Sequence, residues 1–203
     1  MPRFPYDDQV ASQAEVVAAV LESLDVPTLD PNRPLLFAGI GTSLHACRIA
    51  AYWVAELSQG RFRPAAVEAH ELALHGNFRT RDQLVVVSHR GTKRFPTELL
   101  ARAGGAGATT VTVTGQGAAN PADDFAVHTC AGELASTHTV SYLAALAALG
   151  GLVARLVGSA ADEFAHALSA VPQSIAATLP VCRRNLPCTG LPPSSNPGGW
   201  QRW

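Results

Sequence analysis

LLFAGIGTSLHAC, residues 35–47, is the stretch that decides the fold of this chain. Its apolar start, 35–38, predicts a buried strand, and residues 39–43, GIGTS, predict a tight turn because glycine permits the backbone conformations that such turns need. A helical pattern begins directly afterwards. Thr42 or Ser43 can cap that helix with its hydroxyl, and the free N–H groups of the first helical turn favour an anion, most often phosphate. An ordinary strand-to-helix turn with a serine cap is the alternative.

Two further polar segments also follow predicted strands. A strand is predicted at 83–87, QLVVV, and its uninterrupted apolar run 84–87 is typical of a parallel strand that is covered on both faces. The segment 88–93, SHRGTK, comes directly after it. The segment 131–138, AGELASTH, follows a short strand predicted at 125–129 and leads into the longest helix, predicted at 137–157. A polar turn after a strand is therefore a repeated feature of this chain.

The order of the predicted elements indicates the fold class. Strands predicted at 35–38, 65–69, 83–87, 109–114 and 125–129 alternate with helices. This alternation predicts an α/β fold, a three-layer, doubly wound, five-stranded parallel sheet with helices on both faces. In such sheets ligands bind at the carboxyl ends of the strands, near the topological switch point. The three polar segments should therefore converge on one edge of the sheet.

Composition bounds the class of protein. The chain has 203 residues, of which 47% are hydrophobic and 15% charged, as is typical of a globular domain with a full core. The formal net charge is -1 and Lys and Arg do not cluster along the sequence, so nucleic acid is not an expected partner. No apolar run is long enough to cross a bilayer, and residues 1–9 lack the apolar core of a signal peptide. A cytoplasmic location without membrane contact is expected.

The cysteines give no sign of a metal centre. Cys47 and Cys130 lie in apolar patterns that predict buried thiols. Cys182 and Cys188 have no His or Cys at the spacing that zinc ligands need. We therefore expect neither a metal site nor a cofactor.

Together, the three polar segments resemble those of the SIS (sugar isomerase) domain family. The resemblance is closest to the isomerase half of glucosamine-6-phosphate synthase, where the segments read Cys-Gly-Thr-Ser, Ser-Gln-Ser-Gly-Glu-Thr and Glu-x-x-Val-Ala-Ser-Thr-Lys. Here they read IGTS at 40–43, SHRGTK at 88–93 and ELASTH at 133–138. The resemblance covers roughly residues 8 to 180, and it implies a flavodoxin-like SIS fold that binds a phosphorylated sugar.

The resemblance also implies a binding site. Ser43 and Ser88 match phosphate-binding serines of the family, whereas His89, Arg90 and Lys93 stand where the family has glutamine, serine and threonine. Arg90 and Lys93 add cationic donors that can hold a phosphate, with their pointing to solvent as the alternative. The implied substrate-binding residues are Gly41, Thr42, Ser43, Ser88, His89, Arg90, Gly91, Lys93 and Ser136.

Candidate catalytic groups are fewer. Isomerisation of a sugar phosphate needs a base and an acid, usually a carboxylate and an imidazole. Glu133, as a base or a positioning carboxylate, and His138, at the predicted start of a helix, are the candidates, with local hydrogen bonding as the alternative for His138. Glu56 lies near the far end of its helix, where a solvated carboxylate is expected. In synthase-like proteins the resemblance places the base in a second SIS domain, which this chain is not expected to contain.

The expected organisation is an SIS domain with an N-terminal helix over 1–158, a linker helix over 159–180 and an irregular or disordered tail over 181–203. The change in composition after residue 180 favours the hypothesis of a truncated or frame-shifted tandem protein. Three functions stay open: the phosphate-binding half of an isomerase- or deaminase-like protein, a non-catalytic phosphosugar sensor, and a complete single-domain isomerase. A homodimer through the long apolar helix is expected, unless that helix is simply core.

Overall fold

A parallel sheet of five strands lies at the centre of the molecule. The computed structural model describes residues 5–118, 123–133 and 137–185. The strands are β1 (Leu35–Gly39), β2 (Ala65–Glu68), β3 (Gln83–Val87), β4 (Thr109–Thr114) and β5 (Phe125–His128). The helices are α1 (Pro5–Glu22), α2 (Thr42–Leu57), α3 (Ala69–His75), α4 (Arg94–Gly105), α5 (Val140–Val157), α6 (Asp162–Ser169) and α7 (Val171–Asn185). A short 3-10 turn, Gly158–Ala161, joins α5 to α6.

The strand order confirms the predicted doubly wound α/β fold. The order is β2-β1-β3-β4-β5, and each adjacent pair is parallel. After β1 the chain moves outward to β2 and then returns to β3 on the other side of β1, which makes the gap between β1 and β3 the topological switch point. Leu35 lies opposite Gln83 and Ala38 opposite Val86, so β1 and β3 end level with each other. The turns that follow them therefore meet.

Alternating residues of β3 pack into two different layers. Val85 and Val87 belong to the larger apolar cluster, which also holds buried residues of α1, α2 and α5. Leu84 and Val86 face the other side, where they join the cluster built with α3 and α4. All five residues of β3 are buried. The uninterrupted apolar run in the sequence thus reflects a strand with both faces covered.

Helix α5 is the core helix of the domain. Twelve of its residues are buried, Leu149 and Val153 completely. By length and composition the helical stretch Val140–Pro180 could cross a membrane, yet 67% of its most apolar window is buried inside the protein. A helix that packs on its own domain in this way is apolar because it is core, which is the alternative the sequence left open.

The thiols of Cys47 and Cys130 are buried and free, as predicted. Burial raises the pKa of the Cys47 thiol to about 12, and burial also raises the pKa of Cys130. Among the described residues no group of three His, Cys, Asp or Glu side chains is arranged to hold a metal ion.

Two helix ends differ from the prediction. Helix α5 begins at Val140, three residues later than expected, because the preceding backbone binds a carboxylate described below. Helix α7 continues through Pro180 to Asn185, five residues beyond the predicted end of the linker helix. Proline removes one helical hydrogen bond, and since Ala176 is exposed, its carbonyl can bind water instead. Residues 186–203 of the predicted tail lie outside the described residues.

Candidate functional site

A cavity of about 170 Å³ opens at the carboxyl ends of β1 and β3, at the topological switch point. It collects side chains from all three polar segments of the sequence. Its polar lining residues are Thr42, Ser43, Ser88, His89, Arg90, Lys93, Thr129, His138, Ser141 and Tyr142. Gly41 and Gly91 shape the turns beside it, and Ser136 lies outside the described residues.

The first turn presents two hydroxyls to the cavity. Helix α2 starts at Thr42, with Gly41 as its N-cap at φ 61° and with no side-chain capping hydrogen bond. The predicted capping by Thr42 or Ser43 is therefore wrong, because a glycine with positive φ turns the chain one residue earlier. Both hydroxyls lie in the first helical turn and line the cavity beside its free N–H groups.

Close packing fixes this turn to the sheet. A Cβ placed on Gly39, the last residue of β1, would lie 2.6 Å from the carbonyl carbon of Ser43 and 2.7 Å from the nitrogen of Leu44. Only glycine allows β1 and the start of α2 to approach so closely. The N-terminus of α2 therefore lies directly above the end of the strand.

The second turn is held by its backbone, which leaves one hydroxyl unused. The Ser88 N–H donates to the Val113 carbonyl at 2.9 Å. The Ser88 carbonyl accepts from the Gly91 N–H at 2.9 Å and from the Thr114 hydroxyl at 2.8 Å. Ser88 is 4% exposed, yet its own Oγ has no hydrogen-bond partner in the described part of the chain. Buried hydroxyls normally have partners, so this atom is available to a ligand.

His89 offers a second unused polar atom. Its Nε2 is buried and has no partner among the described residues. A Cβ on Gly115 would lie 2.9 Å from the Cε1 of the ring, so the ring packs tightly against β4's end. Burial lowers the pKa of His89, with Glu133 opposing that effect and His138 and Arg90 adding to it. The ring is therefore held close to neutral, a form in which a ring nitrogen donates or accepts according to its tautomer.

The cavity is positive in character. Arg90 and Lys93 are exposed residues that line it. No described carboxylate forms an ion pair with either of them, and no Asp or Glu is among the lining residues. An anion that enters meets two cations without competition from a carboxylate.

Glu133 lies beside the cavity with its carboxylate fully engaged. The side chain is 3% exposed. It accepts from the N–H groups of Thr139, Val140 and Ser141 and from the hydroxyls of Thr139 (2.8 Å) and Ser141. Burial alone raises the pKa of Glu133, but these hydrogen bonds outweigh it and bring the pKa down to about 2. The carboxylate therefore stabilises the start of α5, and the geometry favours its positioning role over that of a base.

His138 is the group that Glu133 can position. Its Nδ1 lies 3.5 Å from Glu133 Oε2 and 3.4 Å from Ser141 Oγ, while its side chain is 42% exposed at the cavity. Glu56, by contrast, is exposed near the other end of α2, about 20 Å along the helix axis from the cavity. The structure brings Glu133 and His138 together and leaves Glu56 outside.

Sequence reasoning missed three polar lining residues: Thr129, Ser141 and Tyr142. Helical spacing could have found the last two, because Ser141 and Tyr142 lie three and four positions after His138. Thr129 follows β5 directly and was interpreted only as the end of that strand.

Solved structures share the fold at low sequence identity. The C-terminal domain of glucosamine-fructose-6-phosphate aminotransferase from Francisella tularensis matches with a TM-score of 0.72 at 16% identity, covering 89% of this chain and 56% of that one. Tagatose-6-phosphate ketose/aldose isomerase from Escherichia coli matches with a TM-score of 0.61 at 16% identity, covering 86% and 56%. The chain thus spans about half the length of these two structures.

A third solved structure, described as a complex with a ligand, also shares the fold. The Vibrio vulnificus NanR protein complexed with ManNAc-6P matches with a TM-score of 0.57 at 16% identity, covering 87% of this chain and 69% of that one. No curated protein matches the chain. The sequence pattern of the SIS domain matches residues 29–155, more than half of the chain, and the chain belongs to the SIS domain family.

Proposed function

We propose that the cavity at the carboxyl ends of β1 and β3 binds the phosphate group of a phosphorylated sugar or amino sugar. The observation that carries this proposal is a pair of buried polar atoms in one cavity, Ser88 Oγ and His89 Nε2, which have no hydrogen-bond partner in the part of the chain that the structure describes. An unused buried hydroxyl costs stability, so its retention is explained when a ligand supplies the missing hydrogen bond.

Each lining residue has a role in this proposal. The hydroxyls of Ser43 and Ser88 donate to phosphate oxygens, and the first-turn N–H groups of α2 add backbone donors. Arg90 and Lys93 supply positive charge from the rim of the cavity. Tyr142 and the exposed face of His138 are left to contact the sugar.

The same geometry favours binding over isomerisation. A proton transfer between sugar carbons needs a base with a pKa near the working pH. No carboxylate of the described residues lines the cavity, and hydrogen bonds bring the pKa of nearby Glu133 down to about 2. A phosphosugar-sensing module is therefore the second candidate, and the NanR structure, described as a complex with ManNAc-6P, is consistent with it. A complete single-domain isomerase would have to rely on His89 and His138.

Calorimetric titration with fructose 6-phosphate and glucosamine 6-phosphate tests the binding proposal. Fructose and glucosamine without phosphate are the control ligands. We expect binding that requires the phosphate, and Ser88→Ala should weaken it roughly 10- to 100-fold through one lost charge-assisted hydrogen bond. Phosphate-independent binding, or none by a folded protein, contradicts the proposal. Interconversion of aldose and ketose forms in the same samples would identify an isomerase.

Ser88→Ala also separates a binding role from a structural one. Because Ser88 Oγ has no described partner, its removal should leave the free protein as stable as the parent or slightly more stable. Ser169→Ala, an exposed serine on α6, is the matched control and should change neither stability nor binding. A large loss of stability in Ser88→Ala would show that the hydroxyl serves the fold.

The homodimer and the cytoplasmic location stay predictions of this proposal. Helix α5 is mostly core, so only its half-buried residues, such as Leu143 and Leu146, are left to face a second copy. Light scattering coupled to size-exclusion chromatography gives the oligomeric state directly.

A further inference from the structure

Four arginines converge on a second cavity at the opposite edge of the sheet, where the strands begin. Arg33 precedes β1, Arg61 and Arg63 precede β2, and Arg81 precedes β3. All four line one cavity of about 210 Å³. They are four of the 15 Lys and Arg residues of the chain. Positive charge that the sequence spreads over 49 positions is thus gathered at one place by the fold.

Arg33 fixes the shape of this cavity. Its Nε donates to the Arg81 carbonyl at 2.8 Å. Its Nη2 donates to the carbonyls of Thr80 at 2.8 Å and Asp82 at 3.2 Å. These bonds join the loop before β1 to the turn before β3. Arg33 is therefore the structural member of the group.

Arg61 and Arg63 are held in place by hydrogen bonds that occupy only some of their N–H donors. The Nε of Arg61 donates to the Ser58 carbonyl at 3.3 Å, and the Nε of Arg63 donates to the Gly60 carbonyl at 3.2 Å. Arg61 also lies over the Phe62 ring, 5.4 Å from its centroid. One bond at each Nε restrains the side chain, while the terminal amino groups have no hydrogen-bond partner among the described residues. Preorganised donors bind an anion at a smaller entropy cost.

The charge of this cavity is not neutralised within the described chain. Asp30 is the one carboxylate among its lining residues, and its Oδ1 accepts the N–H of Asn32 at 2.8 Å. None of the four arginines forms an ion pair with a described Asp or Glu. The side chain of Arg81 makes no hydrogen bond or ion pair with any described residue. The lining therefore carries an excess of three positive charges.

We propose that this cavity is a second anion site, which binds a small molecule carrying a diphosphate or triphosphate group. A guanidinium matches the paired oxygens of a phosphate, and several guanidinium groups around one cavity match several linked phosphates. Apolar residues, including Pro34 and Phe62, form the remaining wall and can contact the carbon skeleton of an organic phosphate. The site is independent of the proposed phosphosugar cavity, since the two share no lining residue.

Calorimetric titration of the full chain with tripolyphosphate at low salt tests this site. We expect saturable binding that weakens as salt rises. Arg63→Gln combined with Arg81→Gln should weaken it roughly tenfold or more. Arg48→Gln combined with Arg102→Gln is the matched control, because it removes two exposed arginines outside the cavity. The control should retain the parent affinity.

Three outcomes overturn the proposal. The first is no binding of tripolyphosphate by the folded parent. The second is an equal loss in the control variant, which would mean that only overall charge matters. The third is tighter binding of an acidic peptide or a single-stranded oligonucleotide that competes with tripolyphosphate, which would make a macromolecule the ligand. Arg63→Gln combined with Arg81→Gln should leave the binding of glucosamine 6-phosphate unchanged, because neither residue lines the phosphosugar cavity, so failure of this site and failure of the phosphosugar proposal are told apart.

Discussion

The two edges of the sheet differ in the chemical groups that they offer to an anion. At the carboxyl end the cavity offers hydroxyls, an imidazole and the N-terminus of α2, with Arg90 and Lys93 at the rim. At the amino end the cavity offers four arginines, three of which bind backbone carbonyls. Among the described residues, one edge holds buried polar atoms without hydrogen-bond partners, whereas the other holds arginines, three of them exposed, that keep unused N–H donors.

Backbone direction explains this difference. In a parallel α/β sheet the helices run opposite to the strands, so helix N-termini with free N–H groups gather at the carboxyl edge. Helix C-termini and their carbonyls gather at the other edge. An anion at the carboxyl edge can therefore use the free N–H groups of helix N-termini, whereas at the amino edge it meets helix carbonyls, which side-chain cations must offset. Neutral hydroxyls therefore suffice to complete an anion site at the carboxyl edge of the sheet, whereas arginine is required at the amino edge.

The largest expected effect is a loss of stability caused by a change at the carboxyl edge of the sheet alone. Glu133→Ala removes the carboxylate that accepts three N–H groups and two hydroxyls at the start of α5. Because these donors are left without an acceptor, we expect the free energy of unfolding to fall by about 3 kcal/mol. Urea denaturation measures this. Glu56→Ala, an exposed carboxylate on α2, is the control and should change the value by less than about 0.5 kcal/mol.

Acid titration checks the same carboxylate independently. The pKa of Glu133 is about 2 in the folded protein against an ordinary value of 4.5, so the unfolded chain takes up the proton first as pH falls. Its contribution is complete above about pH 4.5 and disappears toward pH 2, a loss of about 3 kcal/mol. Glu133→Gln should lack this component. An identical acid dependence in parent and variant would contradict the proposed role.

A smaller effect is expected where α2 meets β1. Gly39→Ala places a Cβ 2.6 Å from the carbonyl carbon of Ser43 and 2.7 Å from the nitrogen of Leu44. Both are backbone atoms, which cannot move aside as the end of a flexible side chain can. We expect a loss of about 2 kcal/mol in unfolding free energy and weaker phosphosugar binding, with tripolyphosphate binding retained. Gly105→Ala, where a Cβ meets nothing within 4 Å, is the matched control. If Gly39→Ala weakened phosphosugar binding and tripolyphosphate binding equally, the distinction between the two edges of the sheet would be contradicted.

The smallest effect concerns pH near neutrality. Burial lowers the pKa of His89, so the unfolded chain binds this proton at a higher pH than the folded chain. The stability that depends on it is complete above the ordinary pKa of 6.5 and declines as pH falls below that value. His89→Gln should flatten this part of the stability profile, whereas His166→Gln, exposed on α6, should not. The arginine edge should show no such dependence, because guanidinium groups do not titrate.

The fold could be predicted from local signals in the sequence. Apolar runs such as LVVV at 84–87 and glycine-containing turns directly after strands are local signals, and the structure places β3 at the predicted residues 83–87. The start of α5 could not be predicted, because Glu133 binds the backbone of residues 139–141 through space and delays the helix. Helical periodicity carries no record of such a contact.

The two candidate sites differ in the same respect. Ser43, Ser88 and His138 belong to segments that follow β1, β3 and β5, parallel strands whose carboxyl ends lie at the same edge of the sheet. The direction of the sheet therefore predicts that these segments meet. The four arginines lie in loops at the other edge, and nothing in their spacing predicts that they meet. The absence of a basic cluster in the sequence therefore says little about charge on the surface. Three-dimensional proximity, and not composition, reveals the second site.

The buried thiol of Cys47 provides a probe for local opening of the structure beneath the carboxyl-edge cavity. Cys47 lies on α2 with a backbone hydrogen bond to Val87, next to lining residue Ala46, and its pKa of about 12 keeps it protonated. Since thiolates are the reactive form, a thiol reagent can modify Cys47 only when α2 lifts from β3. The rate of Cys47 modification therefore reports how often α2 separates from β3 beneath the cavity. A ligand that binds in the cavity and holds these elements together should lower this rate.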